Sequence, residues 1–334
     1  MKRLFALGLS LFLAQGLVAA CSSSSSGSKI AGPSTGGTGA TGSGGSAAGG
    51  SGAGTGSGGT GGGMQLDAGN GGGSSSDGGG CVPPDLLIVL DRTMSMHRRP
   101  DGTRPPDTTA GHQSSKWYIA ITAIKTLTGK LDSSIRFGLE LFPKDPGNNE
   151  CVTLSQRINN ITATNPACQK GEVLVQPALN NGPAIASAID PETTRLCTST
   201  PIGKGIQTAA TALSAIQKAG RSQYAVLITD GQDTCDNALV LSATQALAKQ
   251  GVKMYAIGFD ASSGNGVDKA QLNDLACAGH TAPNFPTPCT ADAQGNYTAT
   301  NPTGPDLFLA AGDATALDTA LSTLAGNVCC GCIG

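Results

Sequence analysis

An α/β fold is what this 334-residue chain predicts, on three observations. From residue 85 onward, short apolar runs alternate with segments whose apolar residues recur every three or four positions. The run Leu86–Leu90 is continuous, as a central strand buried on both faces requires. That run and a second, Tyr224–Ile228, end close to an aspartate, Asp91 and Asp230, so both carboxylates fall beyond the carboxyl ends of strands, where open α/β sheets gather their ligands.

The elements follow in order. Ser114–Leu131 reads as a helix with Trp117, Ile121, Ile124 and Leu131 on one face. Ile135–Phe142 alternates apolar and less apolar residues as a second strand, and Glu172–Val175 is a candidate third strand at the sheet edge. Pro201–Ala219 is expected to be a helix lined by Ile202, Ile206, Ala209, Leu213 and Ile216 and stopped by Gly220. Tyr224–Ile228 is the next strand, Ala238–Lys249 a helix, Val252–Phe259 a strand and Asp268–Ala278 a helix. Leu307–Ala310 supplies a last short strand before the helix Ala314–Leu324. Two long segments interrupt this order, 144–199 and 281–305, rich in turn residues and bearing cysteines. Loops of that length are functional or separately stabilised, and disulfides here favour ordered decoration of the sheet rim.

The amino-terminal part of the chain, before Cys81, has another character. Lys2 and Arg3 precede an apolar run, Leu4–Leu13, and Leu17-Val18-Ala19-Ala20 stands before Cys21. The run is too short for a membrane span and reads as a signal peptide, residues 1–20. Val18-Ala19-Ala20-Cys21 also resembles a bacterial lipobox, which implies a lipidated Cys21. The alternative is a secreted protein whose cleavage site abuts a cysteine. Residues 22–80 are nearly all Gly, Ser, Ala and Thr and cannot recover their ordering entropy by burial. They read as a tether, with an r.m.s. span of about 40 Å for a flexible coil of that length. The folded module is expected to occupy residues 81–334.

Net charge is −2 and no basic stripe is present, which argues against nucleic acid as a partner; the Arg98-Arg99 pair reads as a solvated loop. Eleven cysteines, less Cys21, leave an even ten, which in an exported chain argues for disulfides. Cys151 with Cys168 is the favoured local pair, closing the first insertion, and Cys329, Cys330 and Cys332 are expected to tie the tail back, with Cys81 a candidate partner.

Three loops carry the chemistry: Asp91-Arg92-Thr93-Met94-Ser95 after the first strand, Thr200-Pro201-Ile202-Gly203 before a helix, and Asp230-Gly231 after a later strand. Three hydroxyls with two carboxylates are hard oxygen donors that suit Mg²⁺ or Mn²⁺, with Ca²⁺ a third candidate, whereas zinc favours Cys or His. Together the loops resemble the metal-ion-dependent adhesion site of a von Willebrand factor type A domain, over residues 84–326. The resemblance implies a doubly wound, mostly parallel sheet with helices on both faces. It also implies an ion held by Asp91, Thr93, Ser95, Thr200 and Asp230, with an open position for an acidic side chain of a protein partner. Thr93 departs from the family's more usual Ser; it keeps the oxygen, adds a methyl group and restricts the rotamer. The bland alternative is that these are turn and cap residues, which Asp, Ser and Thr favour in any α/β fold.

Other site readings are weaker. Asp230, Asp233 and Asp236 lack the alternating spacing and final Glu of an EF-hand, and a hydrated turn with a bridged Cys235 is expected instead. Gly203-Lys204-Gly205 lacks the earlier Gly and following hydroxyl of a phosphate loop. Cys277 with His280 suggests zinc, but a paired thiol beside a surface His is the favoured reading. No nucleophile elbow occurs, and His97 near Ser95 is not a base oriented by a third group, so no enzyme is expected. The chain is therefore expected to be a cell-envelope lipoprotein, at the outer membrane where two membranes exist because Ser22 follows Cys21, that binds a protein. The alternatives are a metal-free envelope scaffold and, less favoured, a hydrolase whose ion activates water.

Overall fold

The structure, a computed structural model, describes residues 82–148, 150–154, 156, 168–259 and 267–328. The expected signal peptide, Cys21, the tether, Cys81 and the tail cysteines Cys329, Cys330 and Cys332 lie outside the described residues.

A six-stranded sheet forms the centre. β1 (Asp85–Asp91) pairs in parallel with β2 (Arg136–Phe142) on one side and with β6 (Gln223–Thr229) on the other. β7 (Val252–Gly258) continues the parallel array, and the short β10 (Leu309–Ala310) closes that edge. At the opposite edge β4 (Glu172–Ala178) runs antiparallel to β2, so the expected edge strand forms and is longer than its apolar run. The order across the sheet is β10-β7-β6-β1-β2-β4. Every residue of β1 is buried, because helices cover both faces. Leu86, Ile88 and Leu90 pack on one side with Trp117, Ile121, Ile124, Leu317, Leu321 and Leu324. Leu87 and Val89 pack on the other with Ile202, Ile206, Leu213, Val240 and Leu272. This is the doubly wound arrangement, and it reverses direction at β1, whose neighbours lead to opposite edges.

Helices begin where the sequence offers a cap. After a single turn, α1 (Thr109–His112), helix α2 (Lys116–Leu131) starts at Ser115, whose hydroxyl accepts from the Tyr118 N–H. Asp236 and Asp268 do the same for α5 (Asn237–Lys249) and α6 (Lys269–Ala278). The helix expected over 201–219 is α4 (Ile202–Ala215), with Ile202, Ile206, Ala209 and Leu213 fully buried as its apolar spacing predicts. It stops early because Ile216 and Gln217 bond three residues back, to Leu213 and Ser214, which tightens the last turn. Gly220 then turns the chain away at a positive φ of 75°. α7 (Ala314–Val328) runs one turn beyond the expected Leu324.

Among the described residues the insertions add small elements at the rim of the sheet, with a different bonding from that expected. Within the first, β3 (Cys151–Val152) and β5 (Leu196–Cys197) pair antiparallel, and helix α3 (Gly182–Ala188) follows the edge strand. Cys151 faces Cys197 across this ladder and is bonded to it, while Cys168 is bonded to Cys235. The expected Cys151–Cys168 bridge is therefore incorrect: strand pairing brings Cys151 to a residue 46 positions away. In the second insertion β8 (Cys289–Ala291) and β9 (Tyr297–Ala299) form a hairpin tied to α6 by Cys277–Cys289. Cys277 is spent in a disulfide, as expected, whereas His280 is half-buried rather than on the surface and stacks on Phe285 with its edge to Tyr297.

Candidate metal centre

β1 and β6 end side by side at the switch point, and their last residues are joined across the gap. The Thr229 hydroxyl donates to Asp91 Oδ2 at 2.7 Å, and the Thr93 N–H donates to Asp91 Oδ1 at 2.8 Å. Asp91 is fully buried, and burial first, then the neighbouring charge of Asp230, pushes its carboxyl up to about 7; the bonds from Thr229 and Thr93 pull the other way.

The first loop turns back as a short 3₁₀ segment, Met94–His97, whose Met96 is buried in the core as a plug. That turn brings Thr93 and Ser95 onto one side. Their hydroxyls lie 2.8 Å apart, and the Ser95 hydroxyl donates to Asp230 Oδ1 at 2.7 Å. Since Ser95 has a single proton and gives it to Asp230, Thr93 is the donor to Ser95. Arg92 turns away, donating to the Pro143 carbonyl and pairing with Glu172 at 3.7 Å, which holds the loop against the edge of the sheet.

Thr200 is brought to the same end of the sheet by the insertion. The Cys197 N–H donates to the Arg92 carbonyl, and Thr93 bridges to Cys197, so the strand leading to Thr200 runs along the first loop. Thr200 itself is buried; its N–H donates to the Thr234 hydroxyl and its carbonyl accepts from the Thr234 N–H, in the loop after β6, and none of its described hydrogen bonds reaches the other four residues. Four of the five expected residues, Asp91, Thr93, Ser95 and Asp230, therefore form one connected cluster, and Thr200 is bonded to the loop after β6.

Two groups in the cluster carried no sequence signal. Thr229 is the last residue of an apolar strand, and its role depends on register. Lys116, the first residue of α2, is buried, and its ammonium pairs with Asp230 Oδ2. A lysine at a helix start is ordinary in sequence; only the packing of α2 beside β1 makes it an internal counterion. Asp233, expected in a hydrated turn, is instead buried and accepts from the N–H groups of Gly203, Cys235 and Asp236, tying the start of α4 to the Asp230 loop. Cys235 is bridged as expected.

The donor set fits a small divalent cation. Oxygens bound at about 2.0–2.1 Å in an octahedron stand about 2.9 Å apart along its edges. The Thr93–Ser95 and Ser95–Asp230 separations, 2.8 and 2.7 Å, are ordinary hydrogen-bond lengths that are also compatible with that edge.

Residues 172–294 match the family model of the von Willebrand factor type A domain. That stretch of the chain is similar to a type A domain. The matched stretch includes Thr200 and Asp230 and begins after the first loop, which joins the same sheet through β1. Among solved structures, the chain is similar to proximal thread matrix protein 1 from the mussel byssus, at 16% identity over 73% of this chain and 48% of that one, TM-score 0.44. It is similar to the pilus adhesin SpaC of Lactobacillus rhamnosus GG, at 14% identity over 74% and 30%, TM-score 0.45. It is also similar to the PilB minor pilin of Streptococcus sanguinis, at 13% identity over 75% and 62%, TM-score 0.47. This chain spans about half of the mussel protein and under a third of SpaC. No curated protein matches the chain in sequence.

Proposed function

We propose that this type A domain is the binding head of an envelope lipoprotein, and that it grips a protein partner through a divalent cation at the switch point. Asp91, Thr93, Ser95, Thr200 and Asp230 would hold the ion, Mg²⁺ or Mn²⁺ by the hardness of the donors, and the ion would supply an electrophilic position for a partner's Glu or Asp. The observation that carries this reading is the gathering of Asp91, Thr93, Ser95 and Asp230 from two strand ends into one connected oxygen cluster at the switch point. Binding is preferred to catalysis because the Thr93 and Ser95 hydroxyls bond to one another and to a carboxylate, with no imidazole oriented on either among the described residues.

One observation favours a second reading, a metal-free scaffold. Lys116 already places a positive charge on Asp230, so the ion must displace the ammonium or share the carboxylate with it.

A pull-down from envelope extract, with and without divalent ion, tests the function and identifies the partner. Recovery is expected with Mg²⁺ or Mn²⁺ and lost in chelator; equal recovery in chelator supports the scaffold and removes the metal bridge. For the anchor, mass spectrometry of the mature amino terminus is expected to give a lipidated Cys21, and an unmodified Cys21 overturns it.

A further inference from the structure

We propose that His97, Asp107 and His112 form a second cation site, for Zn²⁺ or a comparable borderline metal, separate from the oxygen-donor cluster. One ring nitrogen from each histidine and a carboxylate oxygen of Asp107 all lie within 4.8 Å of one another. The two imidazoles are buried, at 3% and 1% exposure, and meet edge to face with centroids 5.4 Å apart. Two imidazoles and a carboxylate are a donor set suited to zinc, with the fourth position open to water.

The second, independent observation is the state of His112. Its Nδ1 lies 3.2 Å from Glu192 Oε2. That carboxylate orients the ring and makes Nδ1 the protonated nitrogen. In the neutral ring Nε2 is then a lone-pair acceptor, and it is buried without a hydrogen-bond partner among the described residues. A carboxylate behind a histidine whose other nitrogen is left bare is the arrangement that orients a metal-ligating imidazole. Burying such a lone pair without a donor is costly, and a cation relieves it.

The intervening loop is prepared for this. The Lys116 N–H donates to the Arg98 carbonyl and Arg99 Nε donates to Ser114, so the segment between the two histidines is closed at its base. Thr108 caps the turn that carries His112. Bonds of about 2.0–2.1 Å require tetrahedral ligand atoms about 3.4 Å apart, closer than the present upper limit. Asp107 is the group able to close that distance, since its side chain is exposed and is held by a surface pair with Arg104 at 3.2 Å. Such exposed pairs are weak enough to yield to a metal. The site depends in no way on metal binding by Asp91 and its neighbours, although His97 stands two residues from Ser95 and Lys116 directly follows the loop.

The test is Zn²⁺ and Co²⁺ titration of the full chain, stripped of metal, with disulfides intact and any remaining thiols alkylated. Calorimetry and the Co²⁺ visible spectrum serve as readouts. One equivalent of Zn²⁺ is expected to bind the wild type and Asp91→Ala alike. Binding should weaken at least tenfold in His112→Gln and in the exposed Asp107→Asn, and about tenfold in the positioning variant Glu192→Gln. Circular dichroism identifies any variant that is unfolded, and Asp107→Asn decides the matter if a histidine variant is. Unchanged affinity in folded Asp107→Asn, or loss of the site in Asp91→Ala, overturns the proposal.

Discussion

Lys116 and Asp91 set the terms on which an ion could enter the cluster. With its carboxyl pushed up to about 7, Asp91 holds its proton below neutrality, and an ion that needs the carboxylate must displace that proton. Mg²⁺ affinity is therefore expected to rise about tenfold per pH unit below 7 and to level off above it, as calorimetry at several pH values would read. Lys116→Met leaves Asp230 buried without its counterion, at a cost of about 3–5 kcal/mol to the ion-free protein. Added Mg²⁺ should return most of that stability in a thermal melt. A variant equally unstable with and without the ion would argue that Lys116 is the only cation the site accepts. Glu140 is a separate residue-scale liability. It is fully buried on β2, neither carboxylate oxygen has a hydrogen-bond partner among the described residues, and burial holds its carboxyl well above the usual range. The native state thus keeps a proton that the unfolded chain has released once pH exceeds 4.5, so stability falls as pH rises above that value. Glu140→Met should be more stable at pH 7 by roughly 1–3 kcal/mol and should lose that pH dependence in denaturant titrations.

At the scale of elements, periodicity carried most of the fold. Ile202, Ile206, Ala209 and Leu213 predicted both α4 and its buried face, and the unbroken run at 86–90 predicted a strand covered on both sides. Disulfide pairing was not legible, because it follows from tertiary neighbours: Cys168 meets Cys235 across 67 residues, while its nearer neighbour Cys151 is taken by the facing strand. The clustering of Asp91, Thr93, Ser95 and Asp230 was legible, since strand ends in an α/β sheet converge. Lys116, Thr229 and the buried role of Asp233 were not, since each depends on register or helix placement. The Cys168–Cys235 bond ties the insertion to the loop that follows Asp230. Replacing both cysteines by Ser should cost about 2–4 kcal/mol in denaturant unfolding and weaken ion binding by loosening that loop. Undiminished affinity would show that Asp233, through its three N–H bonds, positions the loop alone.

On the scale of the whole molecule, the switch point gathers an acidic, hydroxyl-rich cluster at one end of the sheet, beneath a rim built from insertions. The proposed binding role depends first on the cluster being a cation site. Calorimetric titration of the full chain with Mg²⁺ and Mn²⁺ at pH 8, beside Asp91→Ala and Thr200→Val, tests it most directly. The account predicts one equivalent bound by the wild type, none detectable in Asp91→Ala, and weaker binding by a Thr200→Val protein of unchanged fold, because a hydroxyl is lost without opening a core cavity. Wild-type protein that takes up neither ion, or Asp91→Ala that takes it up equally well, would contradict it.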